Sequence, residues 1–179
     1  MIQRDVVEKA VRDSINSILG ISEFSIRPRQ PGALRKQSAY CTVDLISNLQ
    51  IHDIERTLEN ESGGSDIIET ISDNRELIFS VNFYRTGSRD NADRVSRGLC
   101  KTSITDFLET QGLGLVDVSS IRSIPELFED EWEERTQMDI TFLAVGTDSE
   151  TVRSIQRVEI ELEYQTETQT HTETIEVQQ

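Results

Sequence analysis

Apolar residues recur at helical spacing in two parts of the chain, with charged residues on the opposite side. Residues 2–19 show this period, which predicts an amphipathic helix that ends at Gly20. Residues 91–111 show it again, with Asp90 placed as the N-cap and Gly112 as the C-terminal stop. The hydrophobic pattern therefore predicts two main helices.

Alternation of apolar and polar residues predicts β-strands in much of the remaining sequence. The predicted strands are 38–46, 66–72, 76–85, 113–121, 136–145 and 152–164. Two tight turns are expected, at Asp73-Asn74 and at Gly146–Glu150, because both segments contain residues that favour turns. Residues 47–65 have no clear period, so a long loop of functional or mobile character is expected there.

These elements indicate an α+β fold built on one central sheet. Short links between strands favour an antiparallel or mixed β-sheet with the two main helices packed on it. Residues 1–164 are expected to form this domain. Residues 165–179 consist mainly of Thr, Gln and Glu and cannot bury enough apolar surface to fold alone. They are expected to be a disordered tail or an arm that adds a strand to a neighbouring subunit.

The chain is strongly acidic, with 33 Asp and Glu against 18 Lys and Arg and a formal net charge of −15. A monomer with this charge repels nucleic acid unless its basic residues are segregated. Basic residues cluster at 27–36 and at 85–101, without the interleaved aromatic residues of a single-strand binding platform. Both clusters are consistent with solvated surface, and the first also with docking onto an acidic neighbour. If many copies line a channel, the acidic surplus would keep passing DNA from adhering to its wall.

The sequence predicts no catalytic set, no cofactor and no metal site. Cys41 and Cys100 lie far apart at positions where an apolar residue is expected, which predicts two buried, reduced thiols. The two histidines are too few and too isolated to complete a zinc site with them. The sequence contains no nucleotide-binding loop, zinc-protease motif or nucleophile elbow. No signal peptide or membrane-spanning segment is predicted, so a soluble protein made in a cytosol is expected.

The segment 126–134 is dense in acids and contains the only tryptophan, Trp132. Paired carboxylates can serve hydrolysis or bind a divalent cation, but this segment lacks the glycine and the alternate-oxygen spacing of a calcium loop. We interpret its acids as solvated, as facing a channel or as part of a subunit interface. The candidate lumen or interface acids are Glu129, Asp130, Glu131, Glu133 and Glu134. Trp132 is expected to anchor the segment or to lie at a subunit contact.

The order of several segments resembles the tail (neck) terminator, or tail-completion, proteins of tailed bacteriophages. After the first helix the segments are RPRQPGA at 27–33, the strand 39–45, RELIFSVNFY at 75–84, the second helix, GLGLVDV at 112–118, ERTQMDITF at 134–142 and the closing strand 155–164. The resemblance covers most of residues 1–164. It rests on the order of the segments, since none of them is a specific motif by itself.

The resemblance implies a structural virion protein without enzymatic activity. Such proteins form a ring, typically a hexamer, that caps the head-proximal end of the tail tube, ends tube growth and joins the tail to the head connector. The implied partners are further copies of the chain, the tube protein, the head-side connector or stopper proteins, the tail sheath, and genomic DNA passing through the lumen without sequence-specific binding. The implied location is the neck or tail of a virion assembled in the host cytoplasm, with no membrane partner.

Three assembly surfaces are predicted on this basis. The basic loop 28–36 is expected to dock an acidic neighbour, the loop 47–65 to reach an adjacent ring, and the segment 126–134 to face the lumen or the neighbouring subunit. The candidate assembly contacts are Arg29, Arg35, Lys36, Trp132 and Arg135.

Three alternatives stay open from the sequence. A head–tail adaptor or stopper of the neck would have a similar size, although such adaptors are commonly richer in helix. A small metal-dependent hydrolase would use the acidic segment as a cation site. An acidic binding module that mimics nucleic acid would stay monomeric and bind a basic partner.

Overall fold

The computed structural model describes residues 2–27, 36–60, 66–128, 130–153, 157–166 and 169–178; for residues 60, 66, 128 and 153 and the last two strands it describes the backbone alone. The helices are α1 (Arg4–Leu19), α2 (Ser88–Leu99) and α3 (Thr102–Thr110). The strands are β1 (Ser25–Ile26), β2 (Tyr40–Gln50), β3 (Glu55–Asn60), β4 (Asp66–Tyr84), β5 (Leu113–Val118), β6 (Arg122–Ser123), β7 (Glu126–Phe128), β8 (Glu131–Glu133), β9 (Arg135–Arg153), β10 (Arg157–Thr166) and β11 (Gln169–Gln178). None of the described helices is long and apolar enough to cross a membrane.

The chain divides into two units, and the larger comprises residues 1–54 and 72–147. The sheet has the strand order β1-β2-β4-β9-β5, with β3 also pairing β4 and β6 also pairing β9. β1 runs parallel to β2, whereas β2 and β4 are antiparallel, as are β5 and β9. The sheet is therefore mixed, and with three helices it confirms the predicted α+β class.

The core lies between one face of the sheet and the helices. Alternate residues of the two central strands are buried: Leu77, Phe79, Val81 and Phe83 on β4, and Met138, Ile140, Phe142 and Ala144 on β9. They pack with the apolar stripes of α1, α2 and α3 in one cluster. This alternation is what a sheet with one covered face requires, and it confirms the alternating pattern predicted for strands 76–85 and 136–145.

The predicted helix 91–111 is wrong as a single element. The chain breaks at Lys101, whose extended backbone (φ −76°, ψ 136°) separates α2 from α3. Asp90 lies inside α2, whose N-cap is Gly87. Because both helices bury their stripes in the same core, the apolar period continues across the break. Cys100 falls at the break and is exposed, so its predicted burial is also wrong, while Cys41 is buried as predicted.

The two predicted turns are wrong for a shared reason. β4 continues through Asp73 and β9 continues through Gly146, and these residues lie side by side. A Cβ atom at Gly146 would lie 2.3 Å from Asp73 Oδ1, so glycine leaves the space that this carboxylate occupies. Arg75 Nε donates to both Asp73 oxygens at 3.0 and 2.9 Å. Asp73 and Gly146, although typical of turns, therefore lie in neighbouring strands, where the glycine makes room for the carboxylate.

The second unit comprises residues 55–71 and 148–179. β3 and the first part of β4 belong to it, and Arg56 Nε lies 2.6 Å from Glu69 Oε1. The predicted loop 47–65 is therefore wrong over residues 47–50 and 55–60, which form strands. β10 and β11 form an antiparallel hairpin, with register from Arg157 opposite Gln178 to Thr166 opposite Gln169. The predicted boundary at residue 164, and the pairing of the C-terminal segment with a neighbouring subunit, stay predictions.

Candidate assembly surfaces

Strands β7 and β8, with Asp130 as the described residue between them, form a two-stranded sheet of their own, here called the tryptophan hairpin. β7 and β8 place Leu127 opposite Trp132. These two side chains are 57% and 74% exposed, which is unusual for a large apolar cross-strand pair. Asp130 adopts a left-handed backbone conformation (φ 66°) that Asp tolerates better than most residues. The hairpin therefore presents the side chains of Leu127 and Trp132 to solvent.

The base of the hairpin is tied to the first unit by its last acids. Glu133 is buried, and its Oε1 lies 3.2 Å from Arg85 Nε. Glu134 Oε2 accepts a hydrogen bond of 3.0 Å from the backbone N–H of Gly87, at the start of α2. A carboxylate at a helix N-terminus is favourable because the helix dipole is positive there. Two of the five predicted lumen or interface acids thus stabilise the fold itself.

The other predicted acids have different positions. Asp130 and Glu131 are exposed on the tryptophan hairpin. Glu129 lies outside the described residues. The exposed acids and Trp132 therefore share one short element, which the sequence pattern did not indicate as a hairpin.

Arg135 links the hairpin to the sheet face opposite the helices. Its Nε and Nη2 atoms donate to Asn82 Oδ1 at 3.3 and 3.1 Å, and its Nη1 atom donates to Glu126 Oε2 at 3.3 Å. The guanidinium carbon lies 5.4 Å from the centre of the Tyr84 ring, which stacks on Tyr40 at 4.7 Å. The described contacts of Arg135 are thus within its own chain, and its role in assembly stays a prediction.

A second charged cluster surrounds Glu8, which is 1% exposed on α1. Arg4 Nε lies 2.6 Å from Glu8 Oε1, and Arg27 Nε and Arg12 Nη1 lie 3.0 and 3.8 Å from Oε2. The hydrogen bond to Glu8 raises the pKa of Arg4, while burial lowers the pKa of Arg12. The cluster joins α1 to Arg27, the last described residue before segment 28–35.

Of the predicted contacts in the basic loop 28–36, Lys36 is the one that the structure describes. Its ammonium donates to the carbonyl oxygen of Glu23, and its own carbonyl oxygen accepts from Arg85 Nη2 at 3.3 Å. Arg29 and Arg35 lie outside the described residues. Lys36 is therefore held by backbone contacts near the base of the tryptophan hairpin.

A third charged surface follows α2 and its exit, and we call it the basic α2 face. It comprises Arg89, Arg94, Arg97 and Lys101, all exposed. Within the described part of the chain no carboxylate oxygen lies within 4.0 Å of their side-chain nitrogens, whereas Arg85 and Arg122 on either side are paired. Cys100 is exposed next to Lys101. Arg94 Nη2 donates to the carbonyl oxygen of Leu19 at 3.4 Å, and the other three bases are available to an acidic partner.

The described residues include no group of three or more His, Cys, Asp or Glu side chains arranged to hold a metal ion. His52 is exposed and stands apart from both cysteines in sequence. What the described surface offers is apolar and charged patches.

The profile of the phage neck terminator protein family matches residues 5–178, almost the whole chain. The chain belongs to the phage neck terminator family. This neck terminator is accordingly a structural protein of the virion neck, as its resemblance implied. A comparison with curated proteins gives no match.

Sequence reasoning missed the burial of Glu8. The apolar period at 2–19 counts Val6, which is exposed, and leaves out Glu8, which is buried. A signal was available, because Arg4, Glu8 and Arg12 are spaced four residues apart and therefore adjoin on one helix face. A glutamate between two arginines at this spacing can be buried because the arginines neutralise its charge.

Proposed function

We propose that this neck terminator assembles into a hexameric ring at the head-proximal end of the phage tail. There it ends growth of the tail tube and joins the tail to the head connector, and genomic DNA passes through its lumen. The observation that carries the proposal is the family match over residues 5–178. A terminator must bind both the last tube ring and the connector, so its surface has to offer several distinct contacts.

The charge of the chain supports the DNA channel. Six copies at −15 each carry about −90. Acidic walls repel the phosphate backbone, so DNA passes without adhering to them. The same charge makes copies repel one another beyond their contacts. At 0.1 M, salt screens charges that lie more than about 10 Å apart. Because this repulsion between copies then weakens, ring formation is expected to increase with salt at moderate ionic strength.

Removal of the gene from the phage tests the proposal. Negative-stain microscopy of the resulting lysate is expected to show overlong tails and unjoined heads, and supply of the wild-type gene in trans should restore both. Tails of normal length that fail to join heads would support the adaptor or stopper alternative. Normal, joined particles without the protein would refute a role in the neck.

A purified sample tests the ring directly. Microscopy and sedimentation of the protein added to tail tubes are expected to show six copies at one end of each tube. A monomer that binds neither tubes nor connectors, but binds a basic protein tightly, would instead favour the acidic binding module.

A further inference from the structure

The exposed pair Leu127–Trp132 is a surface feature that the fold itself does not explain, and among the described residues Trp132 is the most exposed large apolar side chain. A hairpin of two short strands is marginal in water, and this one has Leu127 and Trp132 in solvent. Tryptophan is enriched at the centres of protein interfaces, where its large area is buried on binding. Ile124, two residues before the hairpin, is also exposed. The patch fits a protein surface as its partner.

The charge around this patch defines the partner. Residues 126–134 contain six acids and no base, and Asp130 and Glu131 are exposed beside Trp132. An interface that covers the patch must place basic groups opposite these carboxylates, since a like-charged partner would be repelled. A guanidinium group suits this position best because it can pair with a carboxylate and also stack on an indole ring.

The basic α2 face supplies this chemistry on the same chain. Arg94 and Arg97 are three residues apart on α2 and so adjoin on its surface, with Lys101 just beyond the helix. Asp90 and Asp93 lie one turn before these two arginines, so the bases outnumber the acids most clearly at the Arg97–Lys101 end. These bases have no carboxylate within 4.0 Å among the described residues, although the chain has a surplus of acids. Arg94 Nη2 donates to the carbonyl oxygen of Leu19 at 3.4 Å, whereas Arg97 and Lys101 are exposed. Exposed bases without a carboxylate partner, on so acidic a chain, are suited to an acidic partner.

Other described surfaces suit the hairpin less well. One groove along α1 is lined by Asp5, Asp13 and Lys9, so its acids would repel Asp130 and Glu131. The adjoining groove, lined by residues such as Ile2, Val6 and Val145, offers no basic group. Charge complementarity therefore favours the basic α2 face.

We infer that the tryptophan hairpin of one copy docks on the basic α2 face of the next copy in the ring. The inference rests on the proposed ring, because a closed ring needs two different complementary surfaces on every copy. Each copy would give its hairpin to one neighbour and receive the hairpin of the other. Trp132 would then be buried in the assembly and exposed in the free chain.

Thiol crosslinking tests this contact, because Cys100 lies beside the basic face. Cys41 is fully buried, so Cys100 is the native thiol open to reagent. Phage carrying Glu131→Cys, treated with a short bismaleimide, should show a ladder of covalently linked copies from dimer to hexamer. The matched control is Glu131→Cys with Cys100→Ser, which should show no ladder. A link confined within single chains, or no link at all in intact particles, would overturn the inference.

A reciprocal charge swap gives a second readout. Glu131→Lys alone and Arg97→Glu alone should each lower the yield of joined particles by about tenfold, the effect of about 1.4 kcal/mol in a binding equilibrium. The two changes together should restore the yield to within about twofold of wild type. Single variants that retain full yield, or a double variant no better than either, would contradict the contact.

The outcomes separate this inference from the proposed function. If deletion of the gene gives overlong tails but neither crosslinks nor rescue appear, the function stands and the contact falls. If deletion leaves tails normal and joined, the function itself falls.

Discussion

Charge removal at Glu8 is expected to cost far more stability than the same change five residues further along α1, at Asp13. Glu8→Gln keeps the size of the side chain but removes the charge that three arginines contact. The matched control is Asp13→Asn, which also removes one carboxylate charge from α1. Asp13 pairs with Lys9 at 2.6 Å in an exposed i,i+4 bridge.

The burial of the partners sets the expected magnitude. Breaking a fully buried ion pair by removing one partner costs about 3–5 kcal/mol. Here Arg4 and Arg27 are 59% and 40% exposed and can rehydrate, while Arg12 is 17% exposed. We therefore expect a loss of about 2–3 kcal/mol for Glu8→Gln. An exposed i,i+4 pair contributes about 0.3–0.5 kcal/mol, which sets the expectation for Asp13→Asn.

Urea unfolding at pH 7, followed by far-UV circular dichroism, measures the difference. Fluorescence is a poor probe of unfolding here because Trp132, the only tryptophan, is already 74% exposed. With a slope of about 2–3 kcal/mol/M, the midpoint should fall by about 1 M for Glu8→Gln and by less than about 0.3 M for Asp13→Asn. Equal shifts for the two variants would refute the argument that burial makes Glu8 a structural centre.

Three further predictions concern other parts of the first unit. The hydrogen bond from Arg75 lowers the pKa of Asp73, so this pair should stabilise the fold above pH 4 and lose its effect as pH falls further; Asp73→Asn should reduce the loss of Tm between pH 7 and pH 3. Native protein should bind one equivalent of a thiol reagent, at Cys100, and unfolded protein two; two equivalents before unfolding would contradict the burial of the other cysteine. Gly98→Ala should lower the free energy of unfolding by about 1–2 kcal/mol, because a Cβ there would lie 2.4 Å from Ile18 Cγ2. In an Ile18→Ala background the same change should raise it by about 0.5–1 kcal/mol, and the same sign in both backgrounds would refute the clash.

Local patterns predicted the core of the fold because burial imposes a period on each element. The alternation at 76–85 and 136–145 marks the central strands, and the 3.6-residue period at 2–19 marks α1, since each presents one face to the same interior. The predicted limits of these two strands were wrong where β4 begins and where β9 ends. Asp73 and Gly146 favour turns in isolation, and their side-by-side placement in neighbouring strands has no signature in either local sequence.

The candidate surfaces show the same division. Trp132 and the acids around it were found from composition, because a lone tryptophan in an acidic run is unusual in any context. The sequence did not predict how these acids are divided. Glu133 pairs with Arg85 and Glu134 accepts from Gly87, while Asp130 and Glu131 remain exposed. An acid is neutralised within the chain only where folding brings a base or a backbone N–H close to its carboxylate, and the other acids stay exposed.

The sequence by itself determined the α+β class, the faces that form the core, the acidic character and the family of this neck terminator. These properties depend on residue type and on spacing along the chain, which the sequence contains in full. The tertiary structure decided which charges are neutralised within the chain and which remain free, as at Glu8 and the basic α2 face. Pairing of charges depends on distances between residues remote in sequence, and folding alone sets those distances.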